Sequence, residues 1–274
     1  MTRSLNVGRI SAHNVFSAHP GVPTSCRHQA AKSEYQAWKL IISESILRKV
    51  LQHTVEEGQR CDTNFLLDLC ELEAFISLTY LRGVYGRNHP LDFLYNRYYG
   101  PNVFHQTMAR DRYKQILRYL RFDDKPNRRP RSADKFAPIR EVFDLFSGNC
   151  QSSYIPEYSL TFDEQVLPLK TRCGFIVFMP NKPDKCGIKF WIFCEVNSKY
   201  VVHIIPYLGA QEKAERGDLP LAEHVIMKIS QPIIGKGYNI TMDNFFTSLT
   251  AAVKLKEKRT TIVGTIRKNR RVEQ

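Results

Sequence analysis

Asp163 lies in Ser159–Leu169, where apolar and polar side chains alternate: Leu160 and Phe162 fall on one side of a strand, and Thr161, Asp163 and Gln165 on the other. A carboxylate so placed points out of the sheet toward whatever lies over it. Taken alone it reads first as a solvated acid on an ordinary strand. A second acid, Asp243, ends the short apolar segment Tyr238–Met242 and is followed by Asn244-Phe245-Phe246-Thr247-Ser248. Brought together, two carboxylates offer the hard oxygen ligands that Mg²⁺ prefers. Cations bracket the first acid: Arg172, Lys182, Lys185 and Lys189 occur in a stretch stiffened by Pro180 and Pro183. Individually each reads as a solvated loop residue. Jointly they suit contacts to a phosphate backbone.

The elements that must position these residues follow from periodicity. From Ser159 the apolar period is two, giving strands over Ser159–Leu169, Ile188–Val196 and Tyr200–Tyr207, the last two joined by a tight turn at Asn197-Ser198-Lys199. A helix over Leu219–Ser230, a strand over Tyr238–Met242, a helix over Thr247–Lys258 and a strand over Thr260–Ile266 complete the order. Three meandering strands, then helix, strand, helix, strand is the order of an RNase H-like core. A right-handed crossover before the fourth strand lays it parallel to the first and beside it. Asp163 and Asp243 then become neighbours.

Upstream the period is helical. Residues 1–31 mix Ser, His, Gly and Pro without periodicity and read as a disordered leader. A helix is expected over Ser33–Glu57, with Trp38, Ile42, Ile46, Val50 and Leu51 on its apolar face and Gly58 as its stop, and a second over Leu66–Arg82 ending at Gly83, with Trp38 and Phe75 in the core. The aromatic-rich segment Leu91–Tyr99 reads as core packing rather than a base-stacking surface, because no alternating basic pattern accompanies it. Thr107 reads as the N-cap of a helix whose stripe is Tyr113, Ile116, Leu117 and Leu120. Its opposite face carries Arg112, Lys114, Arg118 and Arg121, which are either solvated or suited to phosphate contacts. The polar loop Asp123–Lys135 holds Arg128, Arg129 and Arg131, a cluster that suits nuclear import or DNA contact, and a further helix covers Pro138–Asn149. The expected fold is therefore mixed α+β or α/β, with a helical region over 32–157 and an RNase H-like domain over 158–274.

Five blocks, Thr161-Phe162-Asp163-Glu164-Gln165, Lys170-Thr171-Arg172-Cys173, Met179-Pro180-Asn181-Lys182-Pro183-x-Lys185-x-Gly187-Ile188-Lys189, Tyr207-x-Gly209 and Met242-Asp243-Asn244-Phe245-Phe246-Thr247-Ser248, resemble the piggyBac transposase family in order and spacing. The similarity extends upstream through Met108-x-Arg110-Asp111-Arg112-Tyr113 and Asp134-x-Phe136-x-Pro138-Ile139-Arg140, to about Ser33. The resemblance implies cut-and-paste DNA transposition at TTAA sequences by an RNase H-like domain with an Asp-Asp-Asp site holding Mg²⁺. Asp163 and Asp243 correspond to two of the three acids, with Asn244 as a neighbour of the second. Family enzymes take the third Asp from a later helix, and neither Glu257 nor Glu273 stands at that position. A family Cys-rich zinc-binding tail has no counterpart here. On this reading the chain is a C-terminally truncated, catalytically incomplete transposase or transposase-derived protein, acting in the nucleus on double-stranded DNA, with a homodimer among its implied partners. The resemblance makes 32–157 a DNA-binding and dimerisation region and 158–274 a partial RNase H-like catalytic domain. The rival readings are a domesticated DNA-binding or interaction protein without catalysis and, further off, an RNA-directed nuclease on the same fold.

Composition agrees with a polyanion as partner. The 40 Lys+Arg outnumber the 27 Asp+Glu, a formal charge of +13 that attracts nucleic acid. The 7 cysteines form no C-x-x-C pair and are odd in number, which argues against a zinc module or a disulfide framework and for reduced intracellular thiols. The start of the chain lacks a signal-peptide core, and no apolar run approaches a membrane span.

Overall fold

The computed structural model describes residues 15–86, 89–131, 134–180 and 185–267. The chain divides into two compact units, Met1–Ile41 with Ser147–Gln274, and Ile42–Phe146. The division falls inside one helix rather than at the expected change of period near residue 157.

The Ile42–Phe146 unit contains α3 (Glu44–Cys61), α4 (Leu69–Tyr85), α5 (Leu91–Leu94), α6 (Asn102–Thr107), α7 (Arg110–Tyr119) and the start of α8 (Arg140–Ser153). Ile46, Val50, Leu72, Phe75, Leu78, Phe104, Tyr113 and Ile116 make its core, so most of the stripes read from the sequence are buried, but Leu117 of the α7 stripe is exposed. Several boundaries differ from expectation. The helix expected over Ser33–Glu57 is two, α2 (Glu34–Ile41) and α3, because Ser43, at the N-cap position of the second, is extended. Gly58 does not stop α3: a Cβ there would lie 2.1 Å from the Phe65 ring, so the glycine admits a buried aromatic. Gly83 likewise lies inside α4, which ends at Gly86 with φ 79°. Thr107 closes α6, and Ala109 occupies the N-cap position of α7. Tyr98 and Tyr99 are 90% and 78% exposed, which overturns the core reading for the end of Leu91–Tyr99, although Tyr95 is buried.

In the other unit, residues 15–31 are ordered rather than a loose leader: Gly21 bridges Ile155, α1 covers Thr24–Ala30, and Phe16 packs on Tyr238 with ring centroids 5.0 Å apart. Residues 1–14 lie outside the described part. Trp38 is half-buried and stacks on Tyr35 instead of entering a core cluster. The sheet comprises β1 (Ser159–Pro168), β2 (Ile176–Phe178), β3 (Cys186–Glu195), β4 (Val201–Pro206), β5 (Asn239–Met242) and β6 (Thr261–Gly264) in the order β2-β3-β1-β5-β6, with β4 also paired to β3. β1 runs antiparallel to β3 and parallel to β5, and β5 is parallel to β6. The short β2 and the helix α9 (Ala210–Arg216) were not legible as periodic segments.

One sheet face is closed by α10 (Leu221–Ile229) and α11 (Leu249–Glu257). Leu160, Phe162, Trp191, Phe193, Ile240 and Met242 meet Val225, Ile226, Ile229, Ala251, Leu255 and Phe246 there. Each such fully buried side chain contributes about 1.5–3 kcal/mol relative to exposure. This is a mixed sheet with flanking helices, the expected RNase H-like arrangement.

Candidate active site

Burial fixes the register on which the site depends. Leu160 pairs with Ile240 and Phe162 with Met242 across the parallel β1–β5 ladder, and all four side chains are buried. A one-residue slip would carry this apolar set to the other face, so the pairing is strongly specified. Asp163 is the next residue after Phe162, and Asp243 the next after Met242. Both acids therefore leave the sheet at the same level on neighbouring strands, and both are exposed.

Local hydrogen bonds orient each carboxylate. Asp163 Oδ1 accepts the Glu164 N–H at 2.8 Å. Asp243 Oδ1 accepts the N–H groups of Phe245 at 3.0 Å and Phe246 at 3.3 Å, an Asx turn that reverses the chain directly after β5. Phe246 then drops into the core against Phe162 and Trp191, with ring centroids at 4.4 and 5.4 Å. Thr247 Oγ1 donates to the Asp243 carbonyl at 2.7 Å, and Ser248 caps α11 by accepting the Ala251 N–H at 3.1 Å. The run Asp243–Ser248 is thus one turn held by its own hydrogen bonds and by Phe246 in the core. Gly264 on β6 is needed beside it, since a Cβ there would meet Thr247 Oγ1 at 2.2 Å and the Met242 carbonyl at 2.6 Å.

The basic residues are distributed less simply. Arg172 and Lys185 are exposed in the connections around β2, and the Lys185 carbonyl accepts the Met179 N–H at 2.7 Å. Lys182 lies outside the described residues. Lys189 rests on the Trp191 ring at 3.9 Å and faces Tyr207 at 5.6 Å, so its stem and charge are held by aromatic faces. In the helical unit, Arg118 is exposed. Arg112 is engaged: its Nε and Nη2 donate to the two oxygens of Glu71 at 2.6 and 2.7 Å, and its guanidinium covers Phe65 at 4.9 Å. That bidentate bond to Glu71 raises the Arg112 pKa further, and the donors expected for phosphate serve internal packing. Arg121 is similarly bound to the buried Glu57 at 2.6 Å.

Two further charged groups lie near the sheet. Arg267 Nε donates to Asn244 Oδ1 at 3.1 Å and its guanidinium faces the Phe245 ring at 5.3 Å, a cation beside the Asp243 turn. Glu212 is 5% exposed, accepts the Trp191 indole N–H at 3.3 Å, and leaves its Oε2 without a hydrogen-bond partner. Burial pushes its pKa up. Neither could be placed before the turn and α9 were known.

The donor chemistry fits one hard divalent cation: two exposed carboxylates, each with one oxygen fixed by backbone N–H and the rest of the group free to ligate. Among the described residues no group of three or more His, Cys, Asp or Glu side chains is arranged to hold a metal ion.

The sheet, with Asp163 midway along β1 and Asp243 directly after the parallel β5, has the RNase H-like fold of a transposase. Residues 33–273 match the family model described as transposase IS4. The human PiggyBac transposable element-derived protein 3 is 23% identical over 235 residues, covering 84% of this chain and 39% of that protein. The human chimeric ERCC6-PGBD3 protein has the same identity over 235 residues, with 22% of its length covered. A solved piggyBac transposase synaptic complex with hairpin DNA superposes with a TM-score of 0.85 at 33% identity, over 93% of this chain and 54% of that one. The chain belongs to the piggyBac transposase family, as a transposase or a protein derived from one, and spans about half or less of the length of these relatives. Among the described residues no helix is long and apolar enough to cross a membrane.

Proposed function

We propose that this chain binds double-stranded DNA and carries, on Asp163 and Asp243, two of the ligands of a Mg²⁺ site for phosphodiester cleavage and strand transfer. The observation that carries the reading is the placement of both acids immediately beyond the buried Phe162–Met242 pair on parallel strands. In the proposed mechanism the two carboxylates hold the ion, and the Glu164, Phe245 and Phe246 N–H groups keep one oxygen of each aimed. A bound ion supplies positive charge to the attacking and leaving oxygens. Arg172, Lys182 and Lys185 contribute contacts to the DNA backbone, Arg118 adds one on the helical unit, and Lys189, seated on Trp191 and Tyr207, serves the sheet instead. A nuclear location and self-association go with this reading, since the substrate is chromosomal DNA and both ends of an element must be handled together.

A second reading, a DNA-binding protein without catalysis, is favoured by the presence of two rather than three clustered acids among the described residues. Calorimetric titration with Mn²⁺ separates the two, because only the first requires the acids to hold an ion, and a strand-nicking assay on duplex DNA with Mg²⁺ or Mn²⁺ tests whether two acids suffice. We expect binding without cleavage from this chain alone. Cleavage that disappears in Asp163→Ala would show that the two acids suffice, and absence of any duplex binding would defeat both readings.

A further inference from the structure

An exposed tyrosine is ordinary on a protein surface, but Tyr98 and Tyr99 are adjacent, 90% and 78% exposed, and displayed on a backbone that has no freedom to collapse. Asn96 Oδ1 accepts the N–H of Tyr98 at 2.8 Å and of Tyr99 at 3.0 Å, and the Gly100 N–H closes the turn on the Asn96 carbonyl at 2.9 Å. Gly100 itself is packed against the end of α5: a Cβ there would lie 2.4 Å from the Phe93 carbonyl oxygen and 2.7 Å from those of Leu94 and Asn96. The turn is therefore built before any ligand arrives, which lowers the ordering cost of binding. The two rings stand 6.5 Å apart, tilted by 56°, so neither covers the other's face. Arg97, directly before them, is exposed as well.

Two open aromatic faces beside a cation, on a chain of charge +13, match the chemistry of unpaired bases on a phosphate strand. A duplex offers no base faces except at its ends, whereas a single strand offers one per nucleotide. We propose that Tyr98 and Tyr99, with Arg97 beside them, form a stacking platform for unpaired DNA bases. The proposal rests on the DNA-binding reading above and adds to it a preference for single-stranded DNA at a defined place on the helical unit.

The test compares fluorescence anisotropy of a labelled single-stranded oligothymidylate and a labelled duplex of equal length, using the whole chain. The Tyr98→Ala/Tyr99→Ala double variant should lose at least about tenfold in single-strand affinity while duplex affinity stays within about twofold, and Tyr98→Phe/Tyr99→Phe should keep both. Because the side chains are exposed, the thermal midpoint and helical circular dichroism of the variants should match the parent, so lost binding cannot be assigned to unfolding. An alanine variant that binds the single strand as well as the parent overturns the platform, as does equal loss on both DNAs. Sedimentation showing that the alanine variant instead dissociates a dimer would also overturn it, by assigning the tyrosines to a second copy of the chain. A parent protein that binds neither DNA defeats the underlying DNA-binding reading instead.

Discussion

The Phe246 ring stands 4.4 Å from the Phe162 ring, centroid to centroid, and the chain reaches a carboxylate directly after one of these residues and three residues before the other. The contact ties the Asp243 turn to the strand that carries Asp163. Both rings are fully buried, at 0% and 1% exposure. Phe246→Ala should therefore cost about 3–5 kcal/mol of unfolding free energy, the usual range for deleting a core phenylalanine. Urea denaturation followed by tryptophan fluorescence reads this directly, because Trp191 packs on the same ring. A loss below about 1 kcal/mol would mean that the turn is not anchored through Phe246.

The two carboxylates share a level on neighbouring strands, so they repel in the absence of a cation. Asp163→Asn in metal-free buffer should leave stability unchanged or raise it by a few tenths of a kcal/mol, while Mn²⁺ affinity falls at least about tenfold. Asp243→Asn should behave alike, since an asparagine oxygen can still accept the Phe245 and Phe246 N–H groups. Calorimetric titration with Mn²⁺ checks the affinity, and melting in chelator checks the stability. Destabilisation of either variant in chelator would mean that the acid is held by structural partners.

The placement of β5 parallel to β1 and beside it was legible because a period of two and a right-handed crossover specify it, and the buried pairs Leu160–Ile240 and Phe162–Met242 then fix its register. The limits of the helices were not. Gly58 and Gly83 carry the composition of stops but lie within helices, and Gly58 is retained for the approach of Phe65, a contact invisible to periodicity. The same holds for Arg112, whose spacing matches a cationic face and whose partner, Glu71, lies on another helix. For Tyr98 and Tyr99 the composition of Leu91–Tyr99 suggested a core, but the helix ends at Leu94 and the Asn96 turn directs both tyrosines to solvent. Composition predicts how much of a segment is apolar, while the turn decides which of its residues are covered.

Glu212 gives a pH dependence whose sign follows from its burial. Its folded pKa lies above the ordinary 4.5, with burial as the main cause, so the folded state binds the proton more tightly than the unfolded chain. The contribution of this group to stability is therefore complete below the unfolded value and is lost as pH rises through the folded one. Glu212→Gln keeps an acceptor for the Trp191 indole and removes the ionisation. The variant should be more stable than the parent at neutral pH by on the order of 1 kcal/mol, and the difference should vanish toward acid. Thermal melts across that range decide it; a constant difference would place the effect in packing rather than in charge.

Arg112 and Arg118 lie on the same helix and should fail in different ways when removed. Arg112 is held by two hydrogen bonds to Glu71 and covers Phe65, so Arg112→Ala takes away a charge-assisted pair and apolar packing together. The expected cost is about 1–3 kcal/mol of stability, since hydrogen bonds to charged groups contribute at that level. Duplex affinity should hardly move, because the donors that would reach a phosphate are already bound inside the unit. Arg118 is exposed, and Arg118→Ala should leave the melting temperature in place. If its guanidinium neutralises one DNA phosphate, the variant releases one counterion fewer, and the slope of log affinity against log salt should fall by about 1. Anisotropy titrations of duplex DNA over a salt series measure that slope for both variants. A reduced slope in Arg112→Ala with stability unchanged would reverse the assignment and mean that the Glu71 pair opens to DNA.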